Sequence, residues 1–458
     1  MSSLLIIPLF LLLVLTNELY VVMAATGICV LAISTSQKLR MFILVSLIPL
    51  VHAGFGLKGF GGFGLFDLYA ALFILIFLWR LIVLDGFSFG AMPVFPLAFI
   101  MLLSFIPSVM NSISLADTTK AFAQFLFSVL LGISFFYYLL QQDDERFVRQ
   151  LLVMFVVVAT LASLYGLYEA SRASILGVMT GRAFFTLFGD VNYYASFLLM
   201  AEAIALGFLL ISKKLFSRLF FAVSSLALSI AIVSTVSRSA LAVLILVWLA
   251  FLGFLFFYEK GAKKYLGPMV AVTIVGLVGI LLVTDVGSKV VDLFTLTRRV
   301  ESVVGGKDAS VDQRFTILGI GWNIVEDNPW IGVGFGAFEK TFDRYQGGKL
   351  STGFGRSAHN TYLRILAETG IVGFLASLIF FLSLVRFLWK GLMAASQKEE
   401  KTILFALFVS IGSFLVMSAT LDQLFEPHFW IILAIGLVYG GEALTRKGAD
   451  SQENITHG

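Results

Sequence analysis

The sequence predicts an all-α polytopic membrane protein with about 12–14 transmembrane helices and one long outer loop that contains short amphipathic helices. Three observations predict it. Hydrophobic residues make up 59% of the 458 positions and charged residues only 13%, too little charge to cover a water-soluble globule of that size. Apolar runs close to the length of a bilayer span recur along the chain. Basic residues gather in alternate connections. Phe alone accounts for 47 positions, as suits side chains that face acyl chains.

The apolar runs are residues 4–17, 19–35, 41–57, 64–84, 92–110, 121–141, 147–169, 192–212, 215–235, 239–259, 265–283, 360–389, 402–422 and 427–444. The first two read as two short spans or one bent span. The opening apolar stretch has no basic segment before it and no small-residue cleavage site close behind it, so it reads as a retained helix and not a signal peptide. With the N-terminus inside, the inner connections and their helix ends carry Lys38, Arg40, Arg80, Arg146, Arg149, Lys213, Lys214, Arg218, Lys260, Lys263, Lys264, Arg386, Lys390, Lys398, Lys401, Arg446 and Lys447. The short outer ones carry only Lys58, Lys120, Arg172, Arg182 and Arg238. This asymmetry puts both termini on the inner side. The resulting division is an N-terminal helical region over 1–283, a loop subdomain over 284–359, C-terminal helices over 360–445 and an inner tail over 446–458. Within the loop, 288–303 and 312–327 have helical apolar spacing, and Asp327-Asn328-Pro329 ends the second of them with turn chemistry.

Several function classes drop out. The lone Cys29 permits no intrachain disulfide and no cysteine metal site. The formal net charge of +4 is spread over many short loops with no basic patch, which argues against nucleic acid. Gly54, Gly56 and Gly59 match a dinucleotide fingerprint by spacing but lie between two spans, without the strand and helix that it requires. Gly332, Gly334 and Gly336 in NPWIGVGFGAF read as tight turns and close packing of the loop on the bundle. No repeat relates the two halves, which argues against a carrier built from duplicated bundles.

Polar residues in or at the mouth of an apolar bundle are costly, so they are the functional candidates. Arg238 stands at the outer mouth of the 239–259 helix, and Arg314 begins an amphipathic loop helix. Arg356, His359 and Asn360 lie where the long loop re-enters the membrane. Asp190 and Asn192 begin another helix, with Asn192 as its expected cap; Glu202, farther down, is an expected buried partner for an arginine. Arg182 lies in a second, shorter outer segment. Histidine is the side chain suited to general-base work near neutrality, which makes His359 a candidate. The helix start behind it offers free N–H groups and a positive dipole end to an anion. Arginines add a bidentate clamp. Together these suit the holding of a lipid diphosphate while a hydroxyl displaces it. Taken singly, each residue has a plainer reading: a solvated loop histidine, an arginine anchored in headgroups, a helix cap.

SRSALAV, DQRFTILGIGWNIVEDNPWIGVGFGAFEKTF and AHNTYLRILAETGIVGFL, in that order, resemble the O-antigen ligase and polymerase superfamily, as does FGDVNYYASFLLMAEAIAL upstream. The resemblance covers roughly 185–390 and is strongest over 314–373. It implies a metal-independent, inverting glycosyltransferase without a cofactor, in the bacterial inner membrane with its site facing the periplasm. Such an enzyme moves a glycan from undecaprenyl diphosphate to an acceptor hydroxyl. It also implies diphosphate binding and leaving-group stabilisation for Arg238 and Arg314, and acceptor activation or positioning for His359. Arg182, Arg356, Asn192, Asn360 and Glu202 are secondary, substrate-binding candidates. A ligase, with lipid A–core as acceptor, is the reading adopted on the strength of the single dominant loop. The alternative is a polymerase that uses a second lipid-linked repeat unit, and the span count favours it. A lipid-linked glycan transporter or flippase is the rival from another class; it predicts polar residues through the membrane's depth. A structural scaffold would leave Arg238, Arg314 and His359 freely replaceable.

Overall fold

The computed structural model describes residues 27, 36–51, 64–85, 94–142, 144–175, 188–258, 309–346 and 357–456. The segments expected at 4–17, 19–35, 265–283 and 288–303 lie outside the described residues, as does the glycine run at 54–59. The chain is an all-α polytopic membrane protein. Among the described residues nine helices are long and apolar enough to cross a bilayer, and there is no strand.

The helices are α1 (Gln37–Leu47), α2 (Leu65–Arg80), α3 (Phe95–Ser104), α4 (Leu115–Gln142), α5 (Glu145–Ile175), α6 (Val191–Ile211), α7 (Leu215–Ser234), α8 (Arg238–Tyr258), α9 (Ala309–Asp327), α10 (Phe338–Tyr345), α11 (Thr361–Ala394), α12 (Lys398–Met417) and α13 (Pro427–Thr456). The bundle is organised on α6 and α13, whose apolar stretches are the most enclosed. Close approach is built in: a Cβ on Gly391 of α11 would stand 2.7 Å from Gly440 Cα of α13, the small-residue crossing that lets helices pack in lipid.

Two expected spans are interrupted. The 92–110 run is not one helix: α3 stops at Ser104 and a 3-10 turn, Ile106–Asn111, follows. Pro107 has no N–H for a helical bond and crowds the residue before it. Pro49 likewise turns the end of the 41–57 run into the 3-10 segment Ile48–Leu50.

Ion pairs define one end of the bundle. Lys213, between α6 and α7, sits 2.8 Å from Glu399 at the start of α12, and Arg149 of α5 reaches the same carboxylate at 3.0 Å. Arg446 of α13 lies 2.9 Å from Glu145 and 3.0 Å from Glu400. Lys38 donates to Asp144 at 2.6 Å and holds that carboxyl below its usual range. The connections at the other end therefore include those before α6, between α7 and α8, before α11, and between α12 and α13. They are tied together by Tyr193 Oη, which donates to the Asp422 carbonyl at 2.9 Å, and by Thr361 N, which donates to the carbonyls of Ser418 and Leu421 at 2.8 and 3.0 Å.

At that second end α9 and α10 form a cap. Ile317, Ile320, Ile324 and Val325 of α9 pack with Phe338 and Phe342 of α10 and with Leu363 and Ala367 of α11 in a small core of their own. The helix starting at Thr361 is not continuous, as the 360–389 run suggested: Gly370 has φ 63° and ψ −168°. The bonds that Ile371 and Val372 would make to Ala367 and Glu368 are exchanged for bonds to the loop after α9. Ile371 N donates to Pro329 O at 2.8 Å and Val372 N to Trp330 O at 3.4 Å. Val333 N and Gly334 N donate to the carbonyls of Ala367 and Glu368 at 3.1 and 3.0 Å. These four groups of α11 thus find partners in the loop, as burial requires.

Candidate functional site

Beside this break the chain re-enters the bundle. Asn360 caps α11, its side chain accepting from Leu363 N at 3.0 Å. His359, half-buried, is one of two described non-glycine residues with positive φ, at 47°. Histidine adopts that region more readily than most residues, at a cost of about 1 kcal/mol or more. What holds it there is Asp422, from the loop between α12 and α13. One carboxylate oxygen accepts from His359 N at 3.1 Å and from the Ser357 hydroxyl; the other accepts from Asn360 N at 3.2 Å. Arg364 lies one turn into α11, with a guanidinium nitrogen 3.9 Å from Asp422 and another 3.0 Å from Glu368.

This corrects one expectation. Most of the N–H groups around the start of α11 are already engaged: Asp422 takes those of His359 and Asn360 just before it, the carbonyls of Ser418 and Leu421 share that of Thr361, and the Asn360 side chain takes that of Leu363. The anion seated against this helix start is the protein's own carboxylate. Asp422 itself went unnoticed in the sequence because it lies about sixty residues beyond the re-entry motif, in what reads as an ordinary polar turn.

Glu368 is structural. Its side chain is buried and accepts from Phe338 N at 3.1 Å, at the start of α10, as well as from Arg364. The Glu368-x-Gly370 pair thus does two jobs: the carboxylate caps α10, and the glycine makes the break into which the loop docks. Gly332, Gly334 and Gly336 all have positive φ, and a Cβ on Gly332 would meet the Glu368 carbonyl carbon at 2.3 Å. The reading of that run as turns and close packing holds.

Arg238 is the first residue of α8, exposed, at the same end of the bundle as His359. Arg314 is exposed near the start of α9. It is seven and eleven residues before Gly321 and Val325, so all three share a helix face; Gly321 packs on Leu363 of α11. The three leading candidates therefore come from three separate elements gathered at one end of the molecule. Arg182 and Arg356 lie outside the described residues.

Two secondary expectations fail. Asn192 does not cap α6; Asp190 does, accepting from Asn192 N at 2.7 Å and Tyr193 N at 3.3 Å. Aspartate two positions earlier is the better acceptor for the helix's free N–H groups. Among the described residues Glu202 pairs with no arginine. It is fully buried about 18 Å along α6, and accepts from Ser225 and Ser229 of α7 at 2.7 and 3.1 Å. Two serines four residues apart present both hydroxyls on one face, a spacing visible in SSLALS. A carboxyl held by hydroxyls in the interior joins two helices and does not reach a surface substrate. Glu202→Gln keeps the accepting oxygen, so its glycan-transfer rate and melting temperature are expected to stay close to wild type. Loss of transfer with an unchanged melting temperature would restore Glu202 to the site.

A crevice lined by Phe335, Thr361, Arg364, Glu368, Asp422 and Phe425 opens beside the re-entry point. Next to it an apolar groove runs along α11 past Tyr362, Ile365, Phe374, Phe381 and Leu415 to the lipid-facing Leu382. Among the described residues no group of three or more His, Cys, Asp or Glu side chains is placed to hold a metal ion.

Compared with known families, residues 222–378 match the model described as O-antigen ligase. The match runs from α7 through α8, the cap and the break at Gly370. No curated protein matches the chain.

Proposed function

With its 222–378 domain the chain belongs to the O-antigen ligase and polymerase superfamily, and from that membership we propose that it is a ligase: it transfers a glycan from undecaprenyl diphosphate to a hydroxyl of lipid A–core at the periplasmic face of the inner membrane. The observation that carries this reading is the clustering of the family segments at the end of the bundle opposite the basic ion pairs. The positive-inside rule assigns that basic end to the cytoplasm, which leaves His359, Arg238 and the cap on the periplasmic side.

In this mechanism Arg238 and Arg314 neutralise the charge that grows on the departing diphosphate. Diphosphate is already a good leaving group, so cations in place suffice, and no metal is required. His359 accepts the proton of the acceptor hydroxyl as that oxygen attacks the anomeric carbon from the face opposite the diphosphate, inverting the centre. Asp422 fixes the backbone that presents the imidazole. The groove along α11 seats isoprenoid chain. Both lipid-borne substrates then meet in one plane, which supplies proximity.

Purified protein in nanodiscs, given lipid-linked donor and lipid A–core without ATP or an ion gradient, is expected to form the ligated product, identified by mass spectrometry. Product elongated on the donor lipid alone would make it a polymerase. No transfer, with glycan movement across sealed vesicles, would make it a carrier. Arg314→Lys is expected to lose most activity, because an ammonium cannot reproduce two parallel hydrogen bonds to phosphate; retained activity there would mean that a point charge suffices. Activity is expected to survive EDTA, and its loss would overturn the metal-free scheme.

A further inference from the structure

We propose that the cap is anchored in the membrane interface through an aromatic face on α9 and the following loop, so that Phe315, Trp322 and Trp330 sit at the headgroup–acyl boundary of the bilayer that the bundle crosses. All three are exposed, at 69%, 53% and 72%. Phe315 and Trp322 are seven residues apart, two turns along one face of α9. The opposite side of the same helix, Ile317, Ile320 and Ile324, is sealed against α10 and α11.

The depth of this face follows from the spans beneath it. α12 has 20 residues, about 30 Å of helix, so its end at Met417 marks the rim of the hydrocarbon. Thr361 N bonds to the carbonyls of Ser418 and Leu421, and so lies at that rim. After the break at Gly370, α11 runs on to Ala394 over about 36 Å, again one bilayer crossing. Gly370 is therefore at the rim as well. The segment from Thr361 to Thr369 is inclined across that rim: the Tyr362 ring lies 6.1 Å from that of Phe381, eleven residues into the span, while Gly370 stands at its upper end. α9 packs on that segment and shares its depth.

Trp330 makes the junction. Its carbonyl accepts from Val372 N, and Val372 opens the lipid-facing stripe Val372, Leu375, Ile379 and Leu382, each of which is exposed. Trp330, exposed itself, thus stands directly at the head of this stripe. Tryptophan at such a level pairs an apolar ring in the acyl region with an N–H among the headgroups; Trp322 Nε1 already donates to Glu326 at 2.8 Å. The occupant of the face is thus lipid, the surface that the adjoining stripe already meets. Arg314 is turned about 100° from Phe315, toward the α11 side, so anchoring the ring fixes the level at which the guanidinium stands.

The test compares wild type with Trp322→Phe/Trp330→Phe in nanodiscs of phosphatidylcholine brominated on the acyl chain close to the headgroup, and in unbrominated discs. The difference between the two proteins isolates the emission of these two indoles from that of the other tryptophans. That emission is expected to fall by at least half in brominated discs and to resist aqueous acrylamide. Emission that ignores bromine and is quenched by acrylamide as readily as a free indole would overturn the proposal. So would emission protected from both, which would mean that protein covers the face. Trp→Phe keeps the ring, and transfer by the double variant is expected to stay close to wild type, which verifies that the cap remains folded.

Discussion

Asp422→Ala is expected to lower glycan transfer about 100-fold or more while the protein still inserts and remains monodisperse in detergent. The carboxylate holds His359 N, Asn360 N and the Ser357 hydroxyl together, and Arg364 stands close by. Removing it strands three donors, each at about 1–3 kcal/mol if left unpaired in a buried setting. The chain escapes that cost by relaxing His359 out of its positive-φ conformation, which takes the imidazole away from the attacking hydroxyl. The loss is local: α11 keeps its Asn360 cap, and Arg364 keeps Glu368. Asp422→Asn retains one carbonyl oxygen as acceptor and should recover part of the rate. His359→Ala removes the proton acceptor itself and should be at least as damaging as Asp422→Ala, with no rescue by a backbone-restoring change. Transfer by Asp422→Ala within about threefold of wild type would show that this backbone geometry is not what catalysis uses.

The polytopic fold was legible because lipid imposes a simple rule: a long apolar run must be a helix, since no other spanning segment satisfies its own backbone. The start of α11 was legible too, for Asn360 is a strong cap before an apolar run, and the end of α9 followed from Asp327-Asn328-Pro329. What stayed hidden is contact between distant segments. The break at Gly370 cannot be seen in the apolar pattern, which continues through it, and it is stable only because residues 329–334 replace the missing helical bonds. Asp422 carries no local mark of its partners. The same holds for Glu202, whose arginine partner was inferred from charge alone while two serines on the neighbouring helix were the actual donors. Pro49 and Pro107 are helix breakers within apolar runs whose length alone suggests unbroken spans.

Gly370→Ala is the second change expected to have a large effect, and it bears on the cap where Asp422 bears on the histidine. At φ 63° and ψ −168° any side chain is strained, by about 1–3 kcal/mol. A Cβ here would also meet the Trp330 carbonyl carbon at 2.3 Å, a distance no relaxation of side chains can relieve, since the neighbour is backbone. The break would have to close or the loop would have to leave, and either way the four bonds between 329–334 and 367–372 go, at about 1 kcal/mol each. Gly332→Ala attacks the same junction from the other side, with its Cβ 2.3 Å from the Glu368 carbonyl carbon. Each variant should melt several degrees lower, expose the 329–334 amides to hydrogen exchange, and lose most transfer. Combined, they should cost little more than either alone, because both break one contact. Gly319→Ala is the matched control: it lies in the exposed interior of α9 with nothing within 4 Å of its Cβ, and should stabilise the cap by about 0.5–1 kcal/mol. If Gly370→Ala behaved like Gly319→Ala, the loop would not be docked in the helix break, and the cap would have no fixed place above His359.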